Sequence, residues 1–401
     1  MSASTAVQCS FVSPQAPESY SIVTNDGESR VYGQSQPAFT LRVPSLSAWD
    51  RLVRAGTYRL ADAFVSGRFE IDGDMLAAVR WWRAREPAAS SWSRWLIRWW
   101  AALQPDSWFQ TQARARQQIR FHYDRSNGFY QQFLDRRMVY SCAYFANPAL
   151  ELEQAQLAKL EHICRKLELQ RDERFLDVGC GWGALVMHAA EHYGVAAVGC
   201  TLSARQVAFA RDAVERRGLQ GRVTVEDLDY RRVSSRFDKI ASVGMYEHVG
   251  IRRLGGYFRM LAGLLEPDGL LLNHGIARPE RIEDDQSTRF LRQRVFPGGE
   301  LPHLTDVVRG AEEAGFEVLD VENLRPHYAL TCSAWVERLQ SNRARCLEEV
   351  DPETYRTWLL YLAASATSFE RSETDVYQTL LARRTSRRRR LRRPDSISAC
   401  D

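Results

Sequence analysis

The chain has no run of about 18 or more uncharged apolar residues, the length that a membrane-crossing helix needs, so no transmembrane span is expected. Its first residues carry no basic segment followed by an apolar one, and we expect no signal peptide. The eight cysteines fall singly. Cys142, Cys164, Cys180 and Cys200 lie in separate segments without the paired spacing of a metal site, so no metal and no disulfide framework is implied. Reduced thiols in a cytoplasmic protein are the expectation. Acidic residues are missing from one stretch, 383–393, which holds eight arginines. The net charge of +4 less those eight leaves −4 for the rest, so the basicity belongs to a tail and not to the body. Such a tail repels itself and attracts anionic lipid or nucleic acid.

What the sequence does have is a short apolar run ending in alternate glycines, Phe175-Leu176-Asp177-Val178-Gly179-Cys180-Gly181-Trp182-Gly183, followed at once by a helix-like segment. Glycine lets a backbone turn sharply and approach a ligand without a Cβ in the way. The new helix offers unpaired N–H groups at its start. Together these make a nucleotide-type cradle. From residue 150 onward the pattern is regular: helix 150–167, strand 175–179, helix 184–193, strand 195–200, helix 203–217, strands 222–226 and 237–243, helix 253–265 and strand 269–276. A helix at 304–315, late strands at Glu317–Val321 and Tyr328–Thr331, and a largely helical stretch over 333–382 complete the reading. Alternating strands and helices predict a parallel sheet covered on both faces. Before it, residues 1–35 read as poorly ordered. Residues 36–80 read as folded, and 81–109 as tryptophan-rich among arginines, with Trp81, Trp82, Trp92, Trp95, Trp99, Trp100 and Trp108. That stretch suits either a membrane interface or a linker helix packed between two domains.

A glycine turn of this kind serves NAD, FAD and S-adenosylmethionine alike. The dinucleotide fingerprint needs a carboxylate at the end of the second strand to hold the ribose. Here that place reads Gly199-Cys200-Thr201-Leu202, with no acid. The Asp177-to-Gly183 loop instead resembles the first motif of class I methyltransferases, so S-adenosylmethionine is the expected cofactor. After the fourth strand there is no Asn/Asp-Pro-Pro-aromatic motif of the nucleic-acid amino-methylating enzymes. The chain reads Val243-Gly244-Met245-Tyr246-Glu247-His248-Val249-Gly250.

That segment resembles the cyclopropane-fatty-acyl-phospholipid synthase family, and it is not alone. Phe121-His122-Tyr123-Asp124 with Asn127 and Phe129-Tyr130, Met138 to Phe145, Thr201-Leu202-Ser203 with Gln206, Asp229-Tyr230-Arg231, Phe296 to Pro302 and His327 to Thr331 follow in family order. The resemblance is strong over 120–382 and loose over 36–80, where Asp62 to Gly67 is similar to part of the family's lipid-binding domain. It implies a class I methyltransferase Rossmann-like α/β fold with a mostly parallel seven-stranded sheet. A smaller N-terminal lipid-binding α+β domain with its Trp-rich linker would span 36–110, the catalytic domain 111–382 and an Arg-rich tail 383–401.

The same resemblance implies a reaction and its residues. A methylene passes from S-adenosylmethionine to the cis double bond of an unsaturated acyl chain in membrane phospholipid. Bicarbonate, the implied second cofactor, takes a proton from the added methyl so that a cyclopropane ring closes. The positions matching its binding set are Cys142, Glu247, His274, the Ile276 backbone and Tyr328. Those matching the methyl donor's contacts are Tyr140, Ser141, Asp177, Gly179, Gly181, Gly183, Thr201, Leu202, Gln206, Tyr230 and Arg231. Each catalytic position also has a plain reading: an inert core thiol, a helix-start carboxylate, a satisfied core histidine, a packed tyrosine. His248 is expected to point away from Glu247 along a strand. One departure is Asn273-His274-Gly275-Ile276, where better-known synthases carry Leu-His-Thr-Ile. It leaves ring closure, methyl branching and a methylene product open. A soluble small-molecule acceptor is the other alternative. A homodimer, peripheral at the inner membrane surface and bound to anionic lipid rather than nucleic acid, completes the expectation.

Overall fold

The computed structural model describes residues 19–85, 126–279 and 301–387. A first, four-stranded sheet is built near the N-terminus from β1 (Tyr20–Thr24), β2 (Ser29–Tyr32), β3 (Phe39–Val43) and β4 (Glu70–Gly73), with α1 (Leu46–Arg54), α2 (Thr57–Val65) and α3 (Met75–Arg85) beside it. Its strand order is β2-β1-β3-β4, with β1 and β3 parallel and the outer pairings antiparallel. The stretch expected to be poorly ordered to residue 35 therefore holds a hairpin. All four β2 residues are exposed on its free edge, which is why the segment reads as polar. Trp81 is buried against Tyr20, with ring centroids 4.5 Å apart, and Trp82 Nε1 donates to Thr57 Oγ1 at 3.3 Å. These two indoles are packed inside the small domain. Trp92, Trp95, Trp99, Trp100 and Trp108 lie outside the described residues, as do Phe121 to Asp124 and 296–300.

The second unit contains α4 (Asn127–Gln131), α5 (Leu152–Lys166), β5 (Arg174–Val178), α6 (Ala184–Tyr193), β6 (Ala196–Thr201), α7 (Ala204–Arg216), β7 (Val223–Asp227), β8 (Phe237–Val243), α8 (Leu254–Leu264) and β9 (Leu265–Ala277). It continues with α9 (Leu304–Glu313), β10 (Phe316–Asn323), α10 (Arg325–Ser341), α11 (Arg343–Glu349), α12 (Pro352–Glu370) and β11 (Asp375–Arg383). The expected seven-stranded sheet is present in the order β10-β11-β9-β8-β5-β6-β7. The run from β9 to β7 is parallel, and β11 is antiparallel to both of its neighbours. Strand order reverses at β5, whose neighbours are β6 and β8, and a ligand crevice belongs at the carboxyl ends of those strands.

Two expectations about the C-terminal part fail. Tyr328–Thr331 lies in α10, which starts with Pro326 in its first turn and Asn323 Oδ1 accepting the Arg325 N–H at 2.8 Å. Residues 375–382, read as helical, belong to β11. That strand is buried on both faces between β9 and β10, so its sequence does not alternate. The tail expected from residue 383 also begins later: Arg383 closes β11 with its guanidinium on the Ala262 carbonyl, and Arg384 pairs with Glu312 at 3.3 Å. The arginines from 388 onward lie outside the described residues.

The small domain does not stand apart. One apolar cluster runs from Ile22, Phe39 and Phe64 through Trp335, Trp358 and Phe369. Across the same seam Arg80 forks onto both oxygens of Glu370, at 3.0 and 2.7 Å, and Arg356 reaches Val65 O at 3.0 Å and Glu70 at 3.1 Å. Among the described residues no helix is long and apolar enough to cross a membrane.

Candidate active site

The turn after β5 is shaped by its hydrogen bonds as much as by its glycines. The N–H groups of Gly179 and Cys180 both donate to Cys200 O, at 2.9 and 3.1 Å, which fastens the loop to the end of β6. Gly199 makes this approach possible, since a Cβ there would lie 2.8 Å from Cys180 Sγ. Two loop amides are thus spent within the fold, and the turn is not an open anion nest of the kind that seats a pyrophosphate.

Around this turn lies a cavity of about 520 Å³ at the carboxyl ends of β5, β6 and β8. Of the eleven residues expected to meet the cofactor, Tyr140, Ser141, Asp177, Gly179, Gly181, Thr201, Leu202, Gln206, Tyr230 and Arg231 line it. Gly183 does not. It starts α6 at φ +83°, with its α-carbon facing Ala210, where a Cβ would come within 3.1 Å. Its role is the close packing of α6 on α7. Thr201 Oγ1 donates to Gln206 Oε1 at 2.7 Å, which fixes the Gln206 carboxamide against the cavity wall. Asp229 caps the turn that follows, accepting from the backbone N–H and the guanidinium of Arg231 at 3.0 and 2.8 Å.

One residue of this cavity was not singled out by the sequence. Lys159 of α5 is buried, lines the cavity and donates to Ser141 Oγ at 3.0 Å. Burial lowers its ammonium to about 8, against the pull of Asp135, Cys142 and Asp177. Burial likewise lifts Asp177 to about 7, with Lys159 holding it down, and Asp177 Oδ1 has no partner. A sealed cation and a sealed carboxyl at one end of a cavity match the two charges of an amino-acid group. The signal was present in the composition: Lys159, Lys166 and Lys239 are the chain's only lysines, and all three are buried.

The other five expected residues sit beside this cavity rather than in its lining. Cys142 precedes α5, Glu247 belongs to a single 3-10 turn (Tyr246–His248) after β8, His274 and Ile276 end β9, and Tyr328 is in the first turns of α10. Glu247 Oε1 accepts the Ile276 N–H at 2.7 Å, leaving Oε2 buried and unpartnered. Burial raises the Glu247 carboxyl to about 7, with the Ile276 amide lowering it. His274 Nδ1 lies 3.1 Å from Gln378 Nε2, so with that amide donating, the ring proton sits on Nε2, which is buried without a partner. Desolvation lowers His274 to about 3, so the ring is neutral. The Cys142 thiol, completely buried, is pushed well up by desolvation and donates to Ala143 O at 3.2 Å. Burial holds the Tyr328 phenol well above its usual range, with Cys332, Tyr361, Cys142 and Glu247 adding to the effect. His248 is not on a strand: it occupies the 3-10 turn and lines the cofactor cavity. An aromatic wall stands behind the group, with Tyr140 to Trp335 centroids at 5.1 Å, Tyr328 to Trp335 at 6.1 Å and Tyr328 to Phe369 at 4.6 Å.

Known proteins resemble this chain in sequence and fold. A family model described as mycolic acid cyclopropane synthetase matches residues 110–379. The chain is 39% identical over 360 residues to a probable fatty acid methyltransferase of Pseudomonas putida, covering 88% of this chain and 89% of that one. The structure of the cyclopropane synthase MmaA2 of Mycobacterium tuberculosis aligns with TM-score 0.65 at 33% identity, over 67% of this chain and 98% of that one. A second structure, mycolic acid cyclopropane synthase CmaA1 complexed with SAH and CTAB, aligns with TM-score 0.64 at 35% identity, over 66% and 97%.

Proposed function

The chain belongs to the mycolic acid cyclopropane synthetase family and is an S-adenosylmethionine-dependent methyltransferase, and we propose that it converts the cis double bond of an unsaturated acyl chain in membrane phospholipid into a cyclopropane ring. The observation that supports this reading best is the pair of sealed, unpartnered atoms, Glu247 Oε2 and His274 Nε2, between the cofactor cavity and an aromatic wall. Buried polar groups are normally satisfied, so an orphaned acceptor and an orphaned donor beside a cavity mark a place for a small hydrogen-bonding group.

S-adenosylmethionine, when bound, supplies an electrophilic methyl. Asp177 and Lys159 would hold its amino-acid part, and Thr201, Gln206, Tyr230 and Arg231 the rest. Methyl transfer to one alkene carbon leaves a cation on its neighbour, and loss of a proton from the new methyl closes the ring. The faces of Tyr140, Tyr328 and Trp335 offer negative potential to that cation and an apolar surface to the chain. Bicarbonate, when bound, supplies a base there. Cys142, Glu247, His274 and Tyr328 would hold it, and the orphaned atoms fit such an anion with one acidic hydrogen. Ile276 would not contribute its N–H, which Glu247 already takes. With its carboxyl near 7, Glu247 can accept or return a proton at neutral pH.

A methyl-branched or methylene product is the second reading. Gly275, where better-known synthases carry threonine next to the histidine of this strand, keeps that reading open. Cells expressing the protein and fed trideuteromethyl methionine separate the outcomes. Mass spectrometry of their phospholipid acyl chains should show a one-carbon gain that retains two deuteriums in a chain that takes up no hydrogen on mild hydrogenation, the signature of a ring; two deuteriums in a chain that takes up hydrogen mark a methylene product. Retention of three would replace the ring with a branch, and no gain would overturn the reading.

A further inference from the structure

Gly275 lies inside a buried strand, where glycine weakens a sheet, and its backbone is ordinary extended chain that any residue can adopt. The reason for glycine is therefore room. A Cβ at 275 would lie 2.3 Å from Cε1 and 2.4 Å from Cζ of Tyr246, whose ring is almost wholly buried across the strand. The Tyr246 hydroxyl donates to the Ile276 carbonyl at 3.0 Å, while Glu247 Oε1 takes the Ile276 N–H at 2.7 Å. In an extended strand the N–H and C=O of one residue point to the same edge. β8 stops pairing with β9 at His274, so two consecutive side chains take over as the ladder partner of Ile276.

We propose that Tyr246 is a positioning residue for Glu247, admitted only because residue 275 is glycine. By fixing the strand end through the Ile276 carbonyl, the phenol keeps the Ile276 N–H on Oε1 and leaves Oε2 as the one carboxyl oxygen turned toward the reacting chain. This rests on the role given to Glu247 above. The consequence shows in pH. The Ile276 N–H lowers the Glu247 pKa, so loosening it raises that pKa and moves the acid limb of turnover to higher pH. Other groups around Glu247 do not titrate in that range. Burial pushes the phenols of Tyr246, Tyr257 of α8 and Tyr328 of α10 up, and lowers His248 to about 4 and His274 of β9 to about 3. Asp177, also near 7, sits at the cofactor end and is followed separately.

The test compares the wild-type protein with Tyr246→Phe, Gly275→Ala, Gly275→Ala/Tyr246→Leu and Glu247→Gln in vesicles of unsaturated phospholipid. Tyr246→Phe should lower kcat about tenfold with KM within about twofold, and shift the acid limb up by roughly half a unit or more. Binding of S-adenosylhomocysteine, measured calorimetrically over the same pH range, should not shift. Gly275→Ala should lose stability and turnover together. Gly275→Ala/Tyr246→Leu, with the collision relieved, should regain the fold while keeping the displaced acid limb. An unchanged pH profile in Tyr246→Phe, with Glu247→Gln inactive, overturns the positioning role and leaves the reaction standing. Full turnover by Glu247→Gln overturns both.

Discussion

The cofactor cavity and the cluster beside it handle buried charge in opposite ways. In the cavity the charges have opposite charges near them: Lys159 holds the Asp177 carboxyl down although Asp177 Oδ1 is bare, and Arg231 is bound by Asp229. In the cluster, Glu247 has backbone amides but no cation, with Oε2 bare, and His274 is neutral with its Nε2 bare. Unpaired buried polar atoms cost free energy in the free protein. A site that tolerates them is arranged for something that arrives later. On the proposed reading, the difference separates a place that recognises a ligand from a place that acts on one.

The largest effect that would break this comparison concerns Glu247. Glu247→Gln keeps the shape and the Ile276 hydrogen bond but removes the carboxyl's proton chemistry. Turnover on unsaturated phospholipid should fall by ~10²- to 10⁴-fold, with affinity for S-adenosylhomocysteine unchanged. A variant that lost cofactor binding instead would make the two regions one site.

Next in size is Lys159→Met, which removes the cation from the cavity and leaves its apolar stem. S-adenosylhomocysteine should bind about 10- to 100-fold more weakly, as expected for loss of a charged hydrogen-bonding group. Methylthioadenosine, which lacks the amino-acid part, should bind nearly as before. Equal losses for both ligands would place Lys159 in general packing.

The two regions also differed in how far the sequence disclosed them. The cradle is contiguous. Strand, glycine turn and helix lie within about twenty residues, and each glycine has a local reason that chemistry can name. The cluster draws on Cys142, Glu247, His274, Ile276 and Tyr328, and no periodicity joins such distant positions. Only family resemblance linked them, and in the structure the Ile276 amide is already taken by Glu247. Tyr328 was expected on a strand because Tyr-Ala-Leu-Thr reads as β-prone, whereas Pro326 and the docking of α10 against α12 make it helical. β11 escaped notice because a strand buried on both faces loses its alternation. Tyr246 and Gly275 are uninformative singly, and their coupling exists only once β9 and the 3-10 turn are brought together.

The smallest predicted effect follows from the same contrast and runs in opposite directions in the two regions. Glu247 is ordinarily ionised above about 4.5 but is held protonated to about 7 in the fold. Between those values the native state binds a proton that the unfolded chain has released, so this group's contribution to stability falls as pH rises through the window. Removing the ionisable group should therefore help most at the top of it. At pH 7.5, Glu247→Gln should be more stable than the wild-type protein by about 1–2 kcal/mol, and the gain should vanish near pH 4.5. Lys159→Met should behave oppositely at pH 7.5, losing a comparable amount, because Asp177 is left sealed without its cation. Urea unfolding midpoints at the two pH values measure both. Two variants that destabilised alike would mean that the cluster's charge is compensated after all, and that the free protein stores no electrostatic cost at the place where the acyl chain reacts.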